Sequence, residues 1–211
     1  MKRTGLILLT ALSLTFPFIV ACNNDEREEI ETMTSGFMTG RTDNKGYVYM
    51  LRDDFGKSYK INGKSEQLKP DTIYRMVASI ALNEDNTARI LQMVPTISYI
   101  APEDSLIPDT MRVKDPVKIE SIYIGGGFLN VHVCIKVQKE GTQHGLLYSR
   151  LNTPGKTSFT FYHNAYGDEP VYSKYAYVSI PLYGYGLAKN DTVFLSCKGF
   201  EEDYEYKLIY K

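Results

Sequence analysis

The chain has 211 residues, 24 of them basic and 25 acidic, with 17 tyrosines and no tryptophan. That length allows one large or two small domains. The balance lacks the basic excess of a nucleic-acid binder, so nucleic acid is excluded as a partner.

In chain order, Lys2 and Arg3 come first, then a nearly uncharged apolar run over residues 5–20 that ends at Ala21 and Cys22. Charge, apolar stretch and small residue in that order are a secretory signal peptide (1–21). The run is short for the roughly 20 residues of a spanning helix, and Pro17 would kink it, which disfavours an uncleaved anchor. Ile19-Val20-Ala21-Cys22 resembles the lipobox of bacterial lipoproteins, with Ile19 standing where leucine is usual. The resemblance implies cleavage between Ala21 and Cys22 and a lipid on the Cys22 thiol, so the membrane is the first partner. Two or more acyl chains there would anchor stably. Asn23-Asn24-Asp25-Glu26-Arg27-Glu28-Glu29 follows, and residues 22–35 read as a lipidated acidic tether. An acidic run at this place resembles the surface-export signal of lipoproteins in some Gram-negative bacteria. It implies an outer-membrane protein on the cell surface, with the periplasmic face as the alternative. Cleavage would remove Lys2 and Arg3, leaving 22 basic residues against 25 acidic ones, a net charge of −3.

Beyond the tether the pattern is alternating, and the tyrosine excess is first a strand signature. Strands are predicted at 36–41, 47–52, 57–62, 72–82 and 88–95, separated by Asn, Asp and Gly clusters of hairpin chemistry. Five strands in about 65 residues suit a small barrel of the OB type, spanning 36–98. Pro95, Pro102, Pro108 and Pro116 mark 99–116 as a linker or edge segment. Further strands are predicted at 118–124, 128–138, 145–151, 158–163, 174–182, 192–199 and 204–210, with Gly125-Gly126-Gly127 as a turn or bulge. Seven strands in about 95 residues fit an immunoglobulin-like β-sandwich over 117–211. The expected fold is therefore all-β: a five-stranded OB-like barrel followed by a seven-stranded sandwich.

Lipobox, OB-like part and sandwich together resemble the NigD-like lipoproteins of Gram-negative anaerobes. The residues that carry the likeness are Tyr123-Ile124-Gly125-Gly126-Gly127-Phe128-Leu129-Asn130, Tyr162-His163-Asn164-Ala165-Tyr166-Gly167-Asp168 and Tyr177-Val178-Ser179-Ile180-Pro181-Leu182. The resemblance implies a fold and a compartment. It implies no activity, although the family name carries an association with a bacteriocin locus.

Candidate chemistry is sparse. Gly56-Lys57-Ser58, Gly63-Lys64-Ser65 and Gly155-Lys156-Thr157 lack the upstream glycine and the following helix of a phosphate loop, and read as turns. His163 with Asp168 is a candidate for a Ca²⁺ loop. An ordinary turn in which Asn164 and Asp168 cap backbone donors accounts for the same residues. No Gly-x-Ser-x-Gly elbow occurs. Asp53-Asp54 and Glu201-Glu202-Asp203 read as solvated turn charges, and no carboxylate pair stands out. Cys134 and Cys197 fall on strand faces of opposite parity, one outward and one inward, which argues against a disulfide. No catalytic residue and no cofactor are called for.

Tyrosines supply the remaining signal. Tyr166, Tyr172, Tyr175 and Tyr177 cluster around one loop and form the candidate binding surface, with packing as the alternative role for each. Asp104-Ser105-Leu106 and Asp109-Thr110-Met111 resemble the Asp-Ser/Thr-apolar acceptor of periplasmic O-glycosylation, which marks Ser105 and Thr110. The sequence thus points to a non-enzymatic binding lipoprotein whose partner is an envelope protein or a glycan. The alternatives are a bacteriocin-associated immunity-type protein and a glycan or peptidoglycan hydrolase.

Overall fold

The computed structural model describes residues 32–83, 85, 87–139 and 141–211. The signal peptide, Ala21, Cys22 and the acidic run after it lie outside the described residues.

The first five strands are β1 (Thr32–Thr42), β2 (Val48–Asp53), β3 (Ser58–Ile61), β4 (Ile73–Leu82) and β5 (Thr87–Pro95). They close into a barrel in the order β1-β2-β3-β5-β4, with β4 pairing back onto β1 and β3 parallel to β5. Closure removes both sheet edges, which is how so small a sheet avoids pairing with other chains. Alternate residues fill the barrel: Met38, Val48, Leu51, Met76, Ala78 and Ile80 are all buried. Gly40 belongs to this inward set, because an added Cβ would lie 2.8 Å from Met76 Cε. β1 starts four residues before the predicted position. Thr32 already pairs with Leu82, and Ser35 Oγ lies 2.7 Å from Ser79 Oγ. Residues 32–35 thus belong to the barrel and not to the tether. Cross-strand pairing extends this strand beyond the segment that its own apolar pattern marks.

The remaining strands are β6 (Lys118–Gly125), β7 (Phe128–Val137), β8 (Gly145–Leu151), β9 (Thr157–Asn164), β10 (Tyr172–Pro181), β11 (Thr192–Lys198) and β12 (Asp203–Ile209). They form two sheets, β10-β7-β6 and β12-β11-β9-β8. The sheets face each other across a core that includes Leu129, Val131, Val133, Phe159, Ile180 and Leu195. All five barrel strands and all seven sandwich strands predicted from alternation are present.

Segment 96–117 is a strap fastened to the sandwich. Ile97 bridges Val178 on β10, Glu103 bridges Arg150 on β8, and Lys114 bridges His163 on β9. Two short 3-10 turns, Asp104–Leu106 and Asp109–Met111, fall between these points. The prolines leave few ladder donors, so side chains do much of the fastening. Tyr99 and Tyr148 stack with centroids 4.2 Å apart and exchange hydrogen bonds with each other's backbone. Asp104 Oδ1 accepts from Ser149 Oγ and Tyr162 Oη, both at 2.6 Å. Burial alone would raise the Asp104 pKa, but those two hydrogen bonds together with the charges of Arg112 and Lys114 outweigh it and hold the carboxyl low. Burial and the Asp104 carboxylate push Tyr162 the other way, to about 12.

Candidate functional site

The most connected polar cluster joins barrel to sandwich. Arg75 is the only charged residue in β4, in the sequence Ile73-Tyr74-Arg75-Met76-Val77. Met76 points into the barrel core, so Arg75 points out of it. The sandwich covers it there, and its side chain keeps only 4% exposure. Nη2 pairs with Asp54 Oδ1 and donates to Asn130 Oδ1 at 2.9 Å. Nε donates to Ser179 Oγ and Nη1 to Thr39 Oγ1, each at 3.3 Å. The guanidinium carbon lies 4.4 Å from the Phe128 ring centroid and 5.7 Å from that of Phe37. Asp54 Oδ2 accepts from Tyr123 Oη at 2.8 Å and from Asn130 Nδ2 at 2.9 Å. Burial and this bond to Asp54 raise the Tyr123 pKa, so the phenol remains a donor.

This corrects the reading of Asp53-Asp54 as solvated turn charges. The Asp54 side chain is 3% exposed because the Gly125-Gly126-Gly127 turn closes over it. A Cβ on Gly126, where φ is +61°, would collide with Asp54 Oδ1, so only glycine permits the approach. Asp53 is spent as well, accepting from the Phe55 and Lys57 amides and from Tyr59 Oη. Glu201, Glu202 and Asp203 are exposed, as a turn of solvated charges should be.

The loop after β9 holds a second polar chain. His163 is 2% exposed. Its Nδ1 faces the carbonyls of Pro116 at 3.1 Å and Asp115 at 3.3 Å, so this nitrogen carries the hydrogen. Nε2 then accepts from His144 Nδ1 at 2.8 Å, and His144 Nε2 lies 3.0 Å from Asp168 Oδ2. Asp168 Oδ2 also accepts the Gln138 amide, and Asn164 Oδ1 accepts the Tyr166 amide. These side chains cap the turn, and the chain of hydrogen bonds ends at its buried side on backbone carbonyls. Among the described residues, no three His, Cys, Asp or Glu side chains are grouped to hold a metal ion.

Burial, then the neighbouring His144 charge, lowers the His163 pKa below its usual value. The Gln138 amide is the chief cause that holds Asp168 below the ordinary carboxylate range. Both folded-state values lie below the unfolded ones. The stability these groups provide is therefore full above the unfolded values and is lost as the pH falls through the folded ones. The His163 loss begins as the pH drops below about 6.5, and the Asp168 loss below about 4. The denaturation midpoint is expected to decline between pH 7.5 and 5, and His163→Gln should flatten that decline. An equal slope in the variant would refute the assignment.

The four candidate tyrosines do not form one patch. Tyr175 and Tyr177 share the outer face of sheet β10-β7-β6 with His132, at centroid distances of 5.2 and 4.7 Å. His132 Nε2 is buried there with no hydrogen-bond partner among the described residues. Tyr172 has the opposite parity on β10, the parity of core residues Val178 and Ile180. Tyr166 lies in the β9–β10 loop, its hydroxyl over Gly145 of the other sheet. Sequence proximity grouped residues that strand alternation separates. It also missed His132, whose register opposite Tyr177 depends on strand pairing.

Cys134 and Cys197 are both free and both buried. Their opposite faces hold, since Cys197 is in the core cluster and Cys134 is outside it. Cys134 does lie on the outward face, but Lys118 and Tyr175 flank it across the sheet and leave it 4% exposed. Burial pushes the Cys197 thiol up to about 11. Ser105 and Thr110 are exposed, each in one of the strap's 3-10 turns.

A closed five-stranded barrel, joined by a fastened strap and a buried ion pair to a seven-stranded sandwich, defines an all-β protein of two modules. The model of the NigD-like C-terminal beta sandwich domain matches residues 100–210. The chain belongs to the NigD-like family. A NigD-like immunity protein from Bacteroides caccae superposes with a TM-score of 0.68 at 25% identity, over 84% of this chain and 97% of that one. A protein assigned as toxin-related from Parabacteroides distasonis gives 0.66 at 21% identity, over 85% and 94%. One assigned as a lipoprotein from Bacteroides fragilis gives 0.58 at 14%, over 85% and 99%. The last two likenesses concern the fold alone. Comparison with the curated proteins gives no match.

Proposed function

We propose that this chain is an outer-membrane lipoprotein, held at the cell surface through Cys22, that acts as a non-enzymatic binding module for an envelope protein or glycan. The observation that carries the reading is the outer face of sheet β10-β7-β6. There Tyr175 is 54% exposed and stands beside His132 and Tyr177, with Lys118 and Lys136 at the margin. Rigid aromatics with a polar tip give contact area at low entropic cost and are enriched in interfaces. The signal-like N-terminus and the fold shared with a protein assigned as a lipoprotein support the anchored part. Photo-crosslinking in cells from a probe at Ser173, beside Tyr175, tests it. A dominant crosslinked species is expected, lost in Tyr175→Ala/Tyr177→Ala and in unanchored Cys22→Ser. If the adduct pattern is unchanged in both variants, the face is not the binding surface.

The alternative is an immunity-type role, favoured by the likeness to the Bacteroides caccae immunity protein over most of both chains. Under that reading, deleting the gene sensitises the cell to supernatant from a bacteriocin producer. Unchanged survival would remove it.

A further inference from the structure

The barrel's outer surface carries two arginines, Arg41 and Arg52, that no carboxylate pairs with among the described residues. On β1 and β2, Met38, Gly40 and Leu51 point into the barrel, so Thr39, Arg41, Met50 and Arg52 point out. Register sets Arg41 opposite Met50, Thr39 opposite Arg52, and Arg52 opposite Ser58 of β3. These residues form one wall of a cleft of about 460 Å³, and Phe128 of the sandwich lines it too.

Three features give the cleft a chemical preference. Arg41 and Arg52 are exposed and make no ion pair among the described residues, whereas Arg75, Arg112 and Arg150 each pair with a carboxylate. The two carboxylates at the cleft, Asp53 and Asp54, are already committed to the turn amides, Tyr59, Arg75, Tyr123 and Asn130. Thr39 Oγ1 accepts from Arg75, which leaves its own proton for an acceptor in the cleft. The lining therefore offers donors and fixed positive charge, with Met50 and Phe128 as apolar surface. Guanidinium forks match carboxylates and sulfates through paired hydrogen bonds. The volume is that of a small-molecule site. A docked protein covers about 800 Å² of each partner, far more than such a cleft offers.

We propose that this cleft is a second binding site, separate from the tyrosine face, and that it takes a short acidic oligosaccharide. Arg41 and Arg52 hold its carboxylate or sulfate group, Thr39 donates to a sugar oxygen, and Met50 and Phe128 lie against a ring face. The outer face of strands 2 and 3 is also where barrels of this topology hold extended polar chains.

Calorimetric titration of the full chain in detergent tests this with digalacturonate, a sulfated chondroitin disaccharide, neutral lactose and tetraglutamate as probes. At least one acidic disaccharide is expected to bind at least tenfold more tightly than lactose, and which one binds tells carboxylate from sulfate. Arg41→Ala and Arg52→Ala should each weaken that binding about tenfold, with partial rescue by Arg52→Lys. Both side chains are exposed, so unchanged melting temperatures should accompany the loss. Tyr175→Ala/Tyr177→Ala should bind the saccharide like the wild type, which keeps this test apart from that of the tyrosine face. No binding of either acidic disaccharide, equal binding of lactose, undiminished binding by the arginine variants, or tighter binding of tetraglutamate would overturn the proposal.

Discussion

Replacing Asp54 with alanine is expected to lower the stability of the described fold by about 3–5 kcal/mol, the usual cost of removing one partner from a buried ion pair. The substitution strips Arg75 of its counter-ion while the sandwich still covers it. It also orphans the Tyr123 hydroxyl and the Asn130 amide, both of which donate to Asp54 Oδ2. Equilibrium denaturation in urea measures the loss. Asp54→Leu combined with Arg75→Met removes both charges and leaves apolar contact with Phe37 and Phe128. It should recover part of the stability, because the desolvation of two charges no longer opposes folding, while the Tyr123 hydroxyl and the Asn130 amide stay without their acceptor. Because the pair bridges the two modules, Asp54→Ala is also expected to separate their unfolding into two transitions. A loss below about 1 kcal/mol, the scale of an exposed pair, would refute the buried-pair account.

The joint shows where the sequence is silent. Strands were legible because alternation records which face meets a core, and the turn clusters between them record where the chain reverses. The barrel's closure and the sandwich's two sheets followed from strand count and spacing. Asp54 was read as solvated because turn carboxylates usually are. Its burial is created by Gly126, which is 72 residues away and visible only as part of a glycine run. One local sign did exist: Arg75 is a lone charge in a strand of otherwise uncharged residues, and a charge there needs a partner. The prolines of 99–116 marked a segment without regular ladders, but not that its side chains would fasten it to both sheets. The tyrosine patch dissolved for a simpler reason. Neighbours in sequence point to opposite faces of a strand, and only register showed that His132 stands with Tyr175 and Tyr177.

Tyr148→Phe should be the second costly change, by about 2–4 kcal/mol, although it removes a single oxygen. That hydroxyl accepts the Tyr99 amide at 2.7 Å and donates to the Tyr99 carbonyl, so its loss leaves two strap backbone groups unpaired. Tyr148 is fully buried, and its pKa is raised chiefly by that burial, so water has little access to replace the oxygen. Tyr99 makes the mirror arrangement, accepting the Tyr148 amide at 2.9 Å and donating to its carbonyl at 3.2 Å. Tyr99 is 37% exposed, however, so water can take the place of the oxygen that Tyr99→Phe removes. The two variants keep the same ring stack and lose the same kind of atom, so the difference between them isolates solvent access. Tyr148→Phe should cost at least 1 kcal/mol more than Tyr99→Phe in equilibrium denaturation. It should also hasten protease cleavage within residues 103–112, because the strap loses the fastening that follows its bridge at Ile97. Equal losses would mean that the strap is held by its later contacts at Glu103, Asp104 and Lys114, with the tyrosine pair contributing its stacking alone.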